Sequence, residues 1–180
     1  MWKVVKAMEN KNIILIGYMG SGKSTIGEKT ARSLQVEFLD TDVLIEQQEG
    51  ITISELFAQK GEDSFRQRET EVLHYLKNEK KNMVLATGGG LPMREENAKL
   101  LKELGVVVYL KASTNTLTER LQGDTTRPLL REGELHKKIE TMLAIRNPVY
   151  EKVADIIVET DAMSIYETIC CLENLYTKSN

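Results

Sequence analysis

Eight consecutive residues, Gly17-Tyr18-Met19-Gly20-Ser21-Gly22-Lys23-Ser24, fit the pattern G-x-x-x-x-G-K-[ST]. The residue types suit the cradling of a polyphosphate. Gly17, Gly20 and Gly22 let the backbone bend towards phosphate oxygens with no Cβ in the way. Lys23 carries a compact positive charge to the β- and γ-phosphates, and the Ser24 hydroxyl can ligate Mg²⁺, which prefers oxygen ligands in octahedral array. The motif follows the apolar run Ile13–Ile16 and precedes a helical pattern from Ile26 to Leu34. Turn amides and a helix N-terminus would then converge on the anion.

Two further clusters carry chemistry. Asp40 and Asp42 are two residues apart, so along extended chain they point the same way, with Thr41 opposite. One could hold Mg²⁺ through water while the other accepts a hydrogen bond from an attacking hydroxyl. Capping of a helix beginning near Val43 is the plainer alternative. Gly88-Gly89-Gly90 lets a ligand rest against bare backbone with amides free to donate, or else forms an ordinary tight turn.

The arginines divide by context. Arg66 and Arg68 lie in a helical pattern, where Glu69 stands three residues after Arg66 and can hold its guanidinium. Arg146 closes another helical pattern just before Asn147-Pro148, where a cation suits the helix dipole. Arg127 sits in the turn-rich stretch 122–133, with Arg120 just upstream. That stretch reads as a surface loop or as a lid.

These side chains need a scaffold. The expected strands are Asn12–Ile16, Glu37–Leu39, Met83–Ala86, Val106–Leu110 and Asp155–Val158, several of them near-continuous Val, Ile and Leu. Such strands are covered on both faces. Helical patterns lie between them, through Ile45, Ile53, Leu56 and Phe57, then Val72, Leu73 and Leu76. Strands alternating with helices imply a parallel sheet wrapped by helices, in which ligands sit beyond the carboxyl ends of the strands. The first strand runs into the phosphate loop, the second into Asp40-Thr41-Asp42, and the third into Thr87-Gly88-Gly89-Gly90.

The 180 residues suit one domain. With 24 Lys and Arg against 27 Asp and Glu, the formal charge is −3, which argues against a dedicated nucleic-acid binder. No apolar run approaches the roughly 18–20 residues that span a bilayer. The first ten residues show no secretory signal, and the only cysteines, Cys170 and Cys171, are adjacent. A reducing, cytoplasmic setting and no membrane partner are the expectation. His74 and His136 are isolated and read as surface or packing residues.

From about Lys11 to Leu175 the chain resembles the shikimate kinase family, whose fold is related to that of nucleoside monophosphate kinases. The resemblance rests on the phosphate loop continued through Thr25-Ile26-Gly27, on Asp40-Thr41-Asp42, and on Phe65-Arg66. It extends through Gly88-Gly89-Gly90, Thr126-Arg127-Pro128-Leu129-Leu130 and Arg146-Asn147-Pro148-Val149-Tyr150. It implies an α/β fold of three α/β/α layers around a five-stranded parallel sheet of order 2-3-1-4-5. A substrate-binding segment at about 42–77 and a lid at about 122–133 go with it.

The reaction it implies is transfer of the ATP γ-phosphoryl group to the 3-hydroxyl of shikimate, by a monomer with Mg²⁺ as cofactor. On that basis Lys23, Asp42 and Arg127 are catalytic. ATP is bound by Gly20, Ser21, Gly22, Lys23, Ser24, Thr25, Arg120 beside the adenine, and Arg127 from the lid. Shikimate is held by Asp42 on its hydroxyls, by Arg66 and Arg146 on its carboxylate, and by Gly88, Gly89 and Gly90. The metal falls to Ser24, and to Asp40 through water. Rival readings are another small-molecule kinase with this loop, for gluconate or a nucleoside monophosphate, and a silent nucleotide-binding module.

Overall fold

Four successive residues of β1 (Ile13–Ile16) are buried, and alternation divides them between two cores. Ile14 and Ile16 pack with Leu85, Val107 and Tyr109 on one face, whereas Ile13 and Leu15 pack with Val84, Val108 and Leu110 on the other. Burying an aliphatic side chain stabilises by about 1.5–3 kcal/mol, so both helix layers are held strongly. In this computed structural model, which describes residues 12–79, 82–122 and 135–177, the remaining strands are β2 (Glu37–Asp40), β3 (Met83–Ala86), β4 (Val106–Lys111) and β5 (Ile156–Glu159). All pair in parallel, in the order β2-β3-β1-β4-β5. The expected architecture is present; β3 has the expected bounds, and the ends of the other strands differ from expectation by at most one residue.

The helices are α1 (Lys23–Leu34), α2 (Thr41–Glu49), α3 (Ile53–Glu79), α4 (Glu95–Leu104), α5 (Thr114–Leu121), α6 (Leu135–Val153) and α7 (Ile165–Thr177), with a 3₁₀ turn at Leu91–Met93. Helix α3 bends at Gly61, which takes φ 76° and ψ 174°. Its second arm carries Phe65, Arg66 and Glu69 towards the sheet edge. Asn12, expected within the first strand, instead ties its neighbourhood together. Its side chain donates to the Leu104 carbonyl and accepts from the Met83 amide.

Two local expectations are corrected. Arg146 does not close a helix: α6 runs on through Pro148 to Val153. An interior proline lacks an amide donor and costs about 3 kcal/mol. Downstream, Tyr150 and Val153 are buried in the core, and their burial favours continuation. Asp40 and Asp42 do not share an extended strand either, because α2 begins at Thr41.

Candidate active site

The phosphate loop spans the end of β1 and the start of α1. Gly22, the residue before α1, takes φ 93°, a left-handed backbone that glycine adopts without steric cost. Lys23 folds back over the loop and donates to the carbonyls of Gly17 and Tyr18, each at 2.9 Å. Ser21 is turned beneath the loop: its side chain is buried and its amide donates to the Tyr18 carbonyl. Ser24 and Thr25 face outward on the first turn of α1. The loop borders a cleft of about 510 Å³ that also receives Asp40, Asp42, Thr87, Gly88, Gly89 and Arg120.

Asp40 caps a helix, the plainer of the readings open in the sequence, and also faces the phosphate loop. One carboxylate oxygen accepts the Asp42 amide at 3.0 Å and caps α2, while the other accepts the Ser24 hydroxyl at 2.8 Å. A hydroxyl and a carboxylate thus meet at the mouth of the loop, a pairing of oxygen donors that fits Mg²⁺. Among the described residues no group of three or more His, Cys, Asp or Glu gathers as a metal cage. A phosphate-bound Mg²⁺ needs none, since it keeps several waters and takes only one or two protein ligands.

At the end of β3 the chain turns through glycine because side chains crowd it. A Cβ on Gly88 would stand 2.7 Å from Asp42 Oδ1 and 3.1 Å from Glu69 Oε1. The Gly88 amide, expected to be free for ligand, donates to Thr41 Oγ1 at 2.9 Å. Thr41 is fully buried, so this bond joins the start of α2 to the end of β3. Glu69 is also fully buried. Burial pushes its carboxyl up to about 7 against the opposing pull of Arg66, and the nearby Asp42 charge adds to the rise.

Arg66 donates to Glu69 Oε2 at 2.8 Å and to Glu62 Oε1 at 3.0 Å. Its guanidinium lies flat against Gly90, where a Cβ would come within 2.6 Å of Nη1 and 2.7 Å of Nη2. Arg146 reaches the same turn from α6: its Nη1 would stand 3.4 Å from a Cβ on Gly89, and its guanidinium lies 5.6 Å from the Tyr18 ring centre. Arg68 is spent on Glu49 and Glu71 at the surface. Arg120, at the end of α5, donates to the Gly20 carbonyl at 3.3 Å on the far side of the cleft. Arg127 and the segment expected to be a lid lie outside the described residues apart from Gln122.

A family model described as shikimate kinase matches residues 19–173. The chain belongs to the shikimate kinase family. A shikimate kinase of Francisella tularensis subsp. holarctica is 44% identical over 158 residues, covering 88% of this chain and 90% of that one. One from Francisella philomiragia is 43% identical over the same span. Among solved structures, "Shikimate kinase from Acinetobacter baumannii in complex with shikimate" superposes with a TM-score of 0.86 at 39% identity, covering 94% of each chain. Shikimate kinase from Aquifex aeolicus gives 0.79 at 36%, covering 94% of this chain and 97% of that one.

Sequence reasoning passed over several residues that shape the cleft of this shikimate kinase family member. In the sequence Thr41 stands out only as the residue facing away from two aspartates. Thr160 and Met163, between β5 and α7, and Ile165 and Thr168, in the first turn of α7, line the cleft together with Arg120. The strand-end rule could have found them, because β5 ends at the same sheet edge as β1. No helix among the described residues is long and apolar enough to cross a membrane.

Proposed function

We propose that this chain transfers the γ-phosphoryl group of ATP to the 3-hydroxyl of shikimate, releasing ADP and shikimate 3-phosphate. The supporting observation is one cleft in which the phosphate loop, through Lys23 and Ser24, faces Asp42, Gly88 and Gly89. Donor and acceptor would meet there with no intervening element. In the transfer, the shikimate oxygen bonds to the γ-phosphorus as its bond to the ADP oxygen breaks, and the hydroxyl proton departs.

Phosphoryl transfer asks mainly for positioning and neutralisation of charge. Loop amides and Lys23 hold the β- and γ-phosphates. Gly20, Gly22, Ser24 and Thr25 border the triphosphate, and Ser21 supports the loop from beneath. Asp42 orients the acceptor hydroxyls and stands where the proton leaves. Arg66 and Arg146, planar and always charged, hold the substrate carboxylate against the triglycine turn. Arg120, with the wall from Thr160 to Ile165, flanks the adenine. Mg²⁺, held by Ser24 and through water by Asp40, would neutralise phosphate charge.

The whole chain acts as one kinase domain, with 42–77 as acceptor segment and 122–133 as lid, from which Arg127 neutralises developing charge. It works as a cytoplasmic monomer on small molecules, with neither nucleic acid nor membrane as partner. A coupled ADP-release assay across shikimate, gluconate and nucleoside monophosphates tests the reading. Turnover with shikimate is expected. Turnover with another acceptor and silence with shikimate would overturn it, and ATP binding without acceptor-dependent turnover would favour a silent module.

A further inference from the structure

The last residue of the Arg146-Asn147-Pro148-Val149-Tyr150 motif has so far been assigned no part in the site. Tyr150 is fully buried, yet its hydroxyl ends at the substrate turn, donating to the Gly89 carbonyl at 2.5 Å. Arg146, one helical turn earlier on α6, converges on the same residue: its Nη1 would stand 3.4 Å from a Cβ on Gly89. Residues four apart share a helix face, so the continuation of α6 through Pro148 keeps the two side chains together.

The ring is fixed as well. It packs against Tyr109 with centroids 5.0 Å apart, and the Tyr109 hydroxyl donates to Asn147 Oδ1 at 2.8 Å. A buried hydroxyl tied to a backbone carbonyl, on a ring packed against a second ring, has little freedom. We infer that Tyr150 is a positioning residue for the acceptor, its hydroxyl fixing the Arg146 guanidinium against the Gly89 turn so that the arginine meets the substrate carboxylate already oriented.

Burial pushes the Tyr150 phenol up to about 12 against the opposing pull of Arg146, so near neutrality it keeps the proton it donates to Gly89. Removing the hydroxyl leaves Arg146 charged and present but free to adopt other rotamers. That freedom is then lost each time shikimate binds, a cost that falls on acceptor affinity. The nucleotide side, on the opposite part of the cleft, is untouched.

The inference rests on the proposed reaction, and the experiment separates the two. Tyr150→Phe keeps the ring and its packing. It should raise KM for shikimate by about 5- to 20-fold and leave KM for ATP within about twofold. Tyr150→Met, a flexible apolar filler, gives a second loss of the hydroxyl should the first variant fold poorly. Tyr109→Phe is the control for a lost buried hydroxyl that does not touch the substrate turn, and it should leave the KM ratio unchanged.

In an Arg146→Ala background, Tyr150→Phe should add little, because the hydroxyl acts through that arginine. An unchanged shikimate KM, equal rises for both substrates, the same split in Tyr109→Phe, or full additivity with Arg146→Ala would each overturn the inference alone. Absence of shikimate turnover in the unmodified protein would overturn the proposed reaction and this inference with it.

Discussion

Arg66, proposed to hold the substrate carboxylate, offers shape as well as charge. Its flat guanidinium is pinned by Glu62 and Glu69 and pressed against the bare face of Gly90. Lysine would supply charge without the fork, so Arg66→Lys is expected to raise KM for shikimate about tenfold or more and to leave KM for ATP nearly unchanged. Steady-state kinetics with each substrate varied in turn checks this; equal weakening of both would contradict the assignment.

Glu69 makes a separate prediction through its proton. The folded carboxyl binds a proton more tightly than the unfolded one, with values of about 7 against 4.5. Over that interval the folded state carries more protons, so this group's contribution to stability falls as pH rises, by up to roughly 3 kcal/mol. Glu69→Gln keeps an acceptor for Arg66 and cannot titrate. Its stability relative to the unmodified protein should therefore improve between pH 5 and pH 8, as read from urea midpoints. Parallel midpoints across that range would show that Glu69 does not titrate there.

At the scale of elements, the site depends on how three strand ends are tied. The bond from the Gly88 amide to Thr41 Oγ1 fastens α2 to the end of β3 beneath the acceptor pocket. Thr41→Val keeps the volume but leaves a buried amide unsatisfied, which costs about 1–3 kcal/mol. Loss of stability on that scale, together with a raised shikimate KM, is expected in thermal melts and kinetics. A variant as stable as the parent would mean that the turn is held by other contacts.

Elements also mark where local rules mislead. A proline near Arg146 signals a helix end, but the apolar residues beyond it, Tyr150 and Val153, lie at a spacing that buries both when the helix continues. The bend at Gly61 carries no local warning either, since glycine is tolerated inside helices and its left-handed φ is a tertiary outcome.

On the scale of the whole molecule, parallel order places the carboxyl ends of β1, β2 and β3 side by side, and with them the loop, the aspartates and the triglycine turn. Water is the competing acceptor in any such open cleft, which is why closure matters. Arg127→Ala is expected to lower kcat by about 10³-fold, by analogy with other arginines that neutralise transferring phosphoryl groups. Single-turnover rates within tenfold of the parent would remove Arg127 from the catalytic set.

The alternation of strands and helices, the phosphate loop and the chemical types gathered at three strand ends can all be read from the amino-acid order. These are local properties, set by periodicity and by residues such as Gly22, Lys23 and Asp40 whose chemistry is independent of distant partners. It is folding that brings the Thr41 hydroxyl to the Gly88 amide, buries Glu69 beside Asp42, and carries the Tyr150 hydroxyl to the Gly89 carbonyl. Those pairs are separated by tens of residues along the chain. Their contact follows from strand order and from which helix face is buried, and neither is encoded within any short window of sequence.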